Sequence, residues 1–372
     1  MEKRKSSKRL RSLDALRGFD MFFITGGCAL FFALQKLYPN VVLNAITEQM
    51  EHVPWHGFHF QDMIFPLFLF IAGISFPFSL AKQRERGKSE RQIYLKVIRR
   101  GLTLVLFGIL YNDFLLHFDF STQRYCSVLG RIGLAWMFAA LITIKTSTKQ
   151  RMFIVPALLV GYWLALRFIP VPGYIGTDPF SMDGSLVGYV DRMLMPGSLY
   201  LKIHDPEGLL GTIPAIGTAL LGMFTGEYIK LKKTGYTEMK KVGHMSLAGV
   251  GLIVVGLLWS LVFPLNKNLW TSSFVCLVGG ISLLLFALFY YIIDVKGYYK
   301  WSFFFVVIGM NPITIYLGSK FISFDFTARS LLTGLASYMP ADVGSLVILL
   351  GTVTVQWLFL YYLYKNKIFL KV

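Results

Sequence analysis

The chain has 372 residues, 55% hydrophobic and only 15% charged, with 33 phenylalanines. Soluble domains carry about 25% charged residues, so composition excludes an ordinary globular protein and predicts an all-α polytopic membrane bundle. The net charge of +17 does not indicate nucleic acid, because most Lys and Arg cluster between apolar runs or at the termini, the pattern of cytoplasmic loops.

Ten apolar spans are predicted, over residues 13–37, 62–80, 98–114, 128–144, 153–169, 209–229, 245–263, 269–293, 301–321 and 343–364. The first reads as a retained span: Asp14, Arg17 and Asp20 interrupt what would otherwise resemble a signal peptide, and no small-residue cleavage site is clear. An even number of spans puts both termini on one side, and the basic tails place that side in the cytoplasm. The whole chain, 1–372, reads as a single transmembrane domain.

The opposite side then receives the connections 38–61, 115–127, 170–208, 264–268 and about 322–342. They carry His52, His56, His59, His117 and His204, five of the six histidines, together with Glu48, Glu51, Asp178, Asp183, Asp191, Asp205 and Glu207. The 170–208 connection has the makeup of a structured lid. Cys28, Cys126 and Cys276 lie in or beside apolar runs, fit no metal spacing and predict no disulfide framework.

The segment EHVPWHGFHFQDMIFPLFLF, residues 51–70, brings three histidines beside Trp55 and ends on Asp62 at the mouth of an apolar run. Histidine exchanges protons near neutral pH and can act as base or acyl acceptor. Asp62, in the first turn of the second span, would orient the His52 imidazole. The bland alternative is an interfacial belt of His and Trp. Zinc is a third reading of His52, His56 and His59, but Pro54 and Gly57 argue against the regular helix it needs.

Five other segments carry polar groups. RLRSLDALRGFDMFF, residues 9–23, sets Asp14 and Arg17 on one helix face, as an ion pair or as a phosphate contact through Arg17. VLGRIGLAW places Arg131 inside a span, where it needs a carboxylate, a carbonyl cage or an anionic ligand. HDPEGLLG offers Asp205 and Glu207 ahead of a helix, and PLNKNLW makes a tight turn with Asn266, Lys267 and Asn268. GMNPITIYL sets Asn311 before Pro312, a step that breaks the helix ladder within the membrane.

Taken together, RLRSLDALRGFDMFF, HVPWHGFHFQDMIFPLFLFIAGISFPFSL, VLGRIGLAW, DPEGLLGTIPAIGTALLG and NKNLW resemble heparan-α-glucosaminide N-acetyltransferase and its bacterial relatives, over nearly the whole chain. The resemblance implies transfer of an acetyl group from cytoplasmic acetyl-CoA to an amino sugar on the far side of a bacterial cytoplasmic membrane. It places the active histidine at His52 and its carboxylate at Asp62. Arg17, Arg131, Asn266, Lys267, Asn268 and Asn311 become candidates for holding the donor, and Trp55, His56, Asp205 and Glu207 for the acceptor. His56 departs from the family, which has Asn there. The expected partners are an amino-sugar or glycan acceptor, membrane lipid and a second copy of the chain, with no nucleic acid and no metal. A solute transporter and an O-acyltransferase of polysaccharide are the rival readings.

Overall fold

A computed structural model describes residues 10–112, 119–174, 176–231 and 235–370. In chain order its helices are α1 (Arg11–Phe22), α2 (Cys28–Leu37), α3 (Val41–Gln49), α4 (Phe60–Glu85), α5 (Glu90–Tyr111), α6 (Val128–Lys145), α7 (Thr148–Phe168) and α8 (Leu186–Leu194). They continue with α9 (Thr212–Lys230), α10 (Glu238–Trp259), α11 (Ser272–Phe289), α12 (Phe303–Gly309), α13 (Pro312–Phe321), α14 (Phe324–Ala336) and α15 (Ala341–Lys365). A kinked segment, Phe23–Gly27, in which Thr25 and Gly26 leave helical geometry, and a π-helical segment, Tyr290–Val295, interrupt the series. No strand occurs among the described residues.

Seven of these segments are long and apolar enough to cross a membrane, and an eighth arises if the bent pair α12–α13 is one span. The protein is an integral, polytopic, all-helical membrane protein. Two of the ten expected spans, 98–114 and 209–229, form long helices but are less apolar: α5 carries Lys96, Arg99 and Arg100, and α9 is diluted by Thr, Gly and Glu227. The expected break at Asn311-Pro312 is a 73° bend. The connections 38–61, 170–208 and 322–342 contain the short helices α3, α8 and α14, which periodicity over such brief stretches does not resolve.

The chain divides into two compact units. One comprises Met1–Met50, Thr237–His244 and Leu284–Lys371. Here α1 passes through the kink at Phe23–Gly27 into α2, and the chain can turn because Gly26 adopts φ +117°, a conformation costly for other residues. Gly18 and Gly309 let α1 and α12 approach backbone to backbone, since a Cβ on Gly18 would lie 1.7 Å from the Phe305 carbonyl oxygen.

The other unit comprises Glu51–Tyr236 and Met245–Leu283. Its centre is the crossing of α4 and α9, made by small residues as membrane helices require. A Cβ on Gly73 would lie 2.3 Å from the Ala219 carbonyl oxygen, and one on Gly222 would lie 2.1 Å from that of Phe70. Gly226 meets Ile74 in the same way. This contact fixes α4, and with it the carboxylate in its first turn.

Candidate active site

The chain enters α4 through a non-helical loop that Pro54 and Gly57 keep irregular, with Gly57 at φ +127°. The first-turn amides of α4 would lack partners, and Asp62 supplies one. Its Oδ2 accepts from the His59 amide at 3.0 Å and the Val53 amide at 3.4 Å. Its Oδ1 lies 2.7 Å from Nδ1 of His52. An ionised carboxylate only accepts, so Nδ1 carries the imidazole proton and Nε2 presents its lone pair. Asp62 is enclosed, whereas the His52 side chain is 53% exposed.

A second loop closes on this pair. In the turn 264–271 the Asn266 side-chain oxygen accepts from the Leu269 amide at 2.8 Å, and the Asn266 backbone amide donates to Thr271 Oγ1 at 3.1 Å. Trp270 takes φ +52°, a conformation unfavourable for a bulky side chain. The turn is held to the histidine loop by the Gly57 amide, which donates to the Leu265 carbonyl at 2.9 Å. It delivers Lys267, whose Nζ is 3.2 Å from His52 Nε2, 3.1 Å from Nδ1 and 3.6 Å from Asp62 Oδ1. Burial pushes the Lys267 ammonium below the usual lysine range, against the pull of Asp62 and Glu207. His56 stands at 3.3 Å from the Asn266 amide nitrogen. Burial lowers its pKa and Asp178 partly restores it.

Around this centre the 204–211 segment is fixed by buried charge. Arg124 forks onto both Asp205 oxygens at 2.8 Å and reaches Glu207 at 2.5 Å, its guanidinium 4.6 Å from the Tyr200 ring centre. Burial would raise the Asp205 carboxyl, but Arg124 holds it below its ordinary value. Arg131, 1% exposed, donates from Nη2 to the Gly208 carbonyl at 2.8 Å and lies 5.1 Å from the Trp270 ring centre. Asp191 accepts the Leu209 amide at 2.9 Å. His204 is fully buried between the Trp55 ring, 5.2 Å away, and the Asn268 carbonyl, 3.2 Å from its Nε2, and burial pushes its pKa down to about 4. Trp55 in turn donates to the Phe180 carbonyl at 2.9 Å.

The second unit thus brings together ten of the twelve expected residues: His52, Asp62, Trp55, His56, Arg131, Asp205, Glu207, Asn266, Lys267 and Asn268. Arg17 and Asn311 belong to the first unit. There Arg17 lies 3.4 Å from Asp14 and 3.5 Å from the Gly309 carbonyl, while Asn311 donates to the Ile368 carbonyl and accepts the Leu370 amide, fastening the C-terminal stretch. His117 lies outside the described residues. Among the described residues, no three His, Cys, Asp or Glu side chains are grouped to hold a metal. Sequence reasoning missed Arg124 and the pairing of Asp191, whose partners lie far along the chain.

Residues 9–187 match a family described as a domain of unknown function, DUF5009. The whole chain aligns with mouse heparan-alpha-glucosaminide N-acetyltransferase at 26% identity, and 98% of it with the human protein of that name at 28%. The chain is a distant homologue of that family. It spans about 60% of the length of these curated relatives. The likeness to the N-acetyltransferases runs through both loops of the site, since it continues beyond residue 187 to the turn that carries Lys267.

Proposed function

We propose that the protein is a membrane acyltransferase that moves an acetyl group from acetyl-CoA to the amine of an amino sugar at the His52 centre. The observation that carries this reading is one imidazole held between a buried carboxylate and a lysine ammonium, in a chain whose relatives are named N-acetyltransferases. Asp62 fixes the ring so that Nε2 is the basic atom. In the reaction the acceptor nitrogen attacks the thioester carbonyl and Nε2 takes its proton. The tetrahedral oxyanion collapses, the C–S bond breaks, and the thiolate leaves with that proton as the free thiol. Lys267, a donor beside Nε2, stabilises the oxyanion and can return a proton to the thiolate. Attack by Nε2 itself, giving a transient acetyl-imidazole, uses the same three groups.

In this reading Trp55, His56, Asp205 and Glu207 form the acceptor side. The donor is held by Asn266, Asn268 and the Arg131 guanidinium, whose Nε and Nη1 have no protein partner among the described residues. The protein would lie in a bacterial cytoplasmic membrane with both termini inside, so that donor and acceptor come from opposite faces. Positioned proton transfer contributes on the order of 10²–10⁴ in rate. The test is thiol release from acetyl-CoA by purified protein with glucosamine and related amino sugars. Turnover in the wild type and its loss in His52→Ala is expected, whereas turnover that survives the substitution overturns the site.

A further inference from the structure

Asp20 plays no part in that centre. It lies in the membrane-spanning segment Arg11–Leu37, about 14 Å along the axis from the start of α1 at 1.5 Å per residue. Its side chain is fully enclosed, and neither carboxyl oxygen meets a donor among the described residues. Asp14, on the same helix, is in contrast 3.4 Å from Arg17. The backbone at Asp20 is also special. Its carbonyl accepts the Phe23 amide, and the helix kinks shortly after it, at Thr25 and Gly26, whose backbone angles are non-helical. Intramembrane acids concentrate at functional positions.

Free energy decides the state of this group. An isolated carboxylate is strongly disfavoured in an apolar interior, and such groups neutralise instead. The charged and titratable groups on the elements packed against α1 have other engagements. Asp294 accepts the Arg11 and Ser12 amides at 3.4 and 3.1 Å, and Tyr290 donates to Glu238. Tyr291 takes the Lys296 ammonium over its ring at 5.5 Å. Tyr316 and Lys320 of α13 have contacts of their own, and α12 carries no titratable side chain.

We propose that Asp20 is a proton-binding site inside the membrane, a neutral carboxylic acid just before the kink of the first span that gains and loses one proton. The step is –COO⁻ + H⁺ ⇌ –COOH and needs no redox partner. It stands independently of the acyl-transfer reading.

Infrared spectroscopy of the purified protein tests it, comparing wild type with Asp20→Asn in H₂O and D₂O across a pH series. The wild type should show the carbonyl stretch of a protonated carboxylic acid, shifted in D₂O and lost at high pH, and the variant should lack it. Identical spectra would overturn the proposal. Asp20→Glu serves if Asp20→Asn is not monodisperse, and should move the band without abolishing it. Thermal unfolding in Na⁺, K⁺ and N-methylglucamine at fixed pH is the second arm. Stabilisation by one metal ion that Asp20→Asn abolishes would make this a metal-cation site and overturn the proton assignment, whereas equal stability in all three supports it.

Discussion

Arg131 and Asp191 hold the two poles of one peptide group. The guanidinium donates to the Gly208 carbonyl and the carboxylate accepts the Leu209 amide, at 2.8 and 2.9 Å. Both side chains are buried, and a Cβ on Gly208 would fall 1.8 Å from Asp191 Oδ2. The segment carrying Asp205 and Glu207 is therefore pinned by charges placed on two other helices, α6 and α8.

This arrangement gives a pH signature. Burial pushes the Asp191 carboxyl up from 3.8 to about 7, against the Leu209 amide and Arg131. The folded state then binds the proton more tightly than the unfolded chain, so the contribution of Asp191 to stability falls as pH rises from about 4 to 7 and is constant above. At 1.36 kcal/mol per pH unit the full change is up to about 4 kcal/mol. His204, held neutral with a pKa of about 4, acts in the opposite sense, adding stability as pH rises from 4 to its unfolded value. Subtracting Asp191→Asn from wild type at each pH cancels His204. The stability difference should decline between pH 4 and 7, and a flat difference excludes the assignment.

The His52 centre predicts two kinds of loss. Asp62→Asn can place a donor where Nδ1–H expects an acceptor, and thiol release should fall by about 10²–10⁴ through kcat. Lys267→Met should lower kcat as well. Lys267→Arg keeps the charge but does not deprotonate near neutrality, so it should recover the thermal stability of the wild type and not its rate. Full activity in the arginine variant would limit Lys267 to an electrostatic role.

Arg124 should matter mainly for stability. Removing it leaves Asp205, fully buried, and Glu207, 10% exposed, without their shared cation. Loss of one partner of such a cluster costs about 3–5 kcal/mol. Arg124→Ala should lower the unfolding midpoint in detergent strongly. Arg124→Lys should lower it less, because an ammonium lacks the fork that meets both Asp205 oxygens. Equal midpoints for wild type and Arg124→Ala would show that the segment is held by the Arg131–Asp191 clamp alone.

The α4–α9 crossing offers a control pair. Gly222→Ala drives a methyl to 2.1 Å from the Phe70 carbonyl oxygen, while Gly161 in α7 has nothing within 4 Å of its added Cβ. Gly222→Ala should destabilise the protein. Gly161→Ala should be neutral or stabilising by up to about 1 kcal/mol, as helix propensity dictates. Thermal unfolding of the two variants side by side reads this out.

Much of this was legible in the residues. Apolar runs fix helices whatever their partners, so spans such as 62–80 and 128–144 fall inside α4 and α6. His52 and Asp62 are ten apart, close enough for a loop entering a helix to join them. Arg124 gives no local sign of its role, because Asp205 and Glu207 lie 81 and 83 residues away. Lys267 reaches across 215 residues to His52, and no periodicity encodes an approach between two turns. α5 and α9 show the converse: their helices were evident, but Lys96 and Arg99 of α5 stay exposed, while the Thr and Gly residues that dilute α9 are buried against other helices.

The separation of His52 and Lys267 along the chain has a consequence for biosynthesis. A nascent polypeptide acquires the imidazole and its carboxylate early, when only the first helices have been inserted. The ammonium arrives only after α10 has been made and the following turn has folded back onto the histidine loop. Until then the proposed centre lacks its second proton donor, so on the acyltransferase reading an unfinished copy holds only half of its proton-transfer machinery.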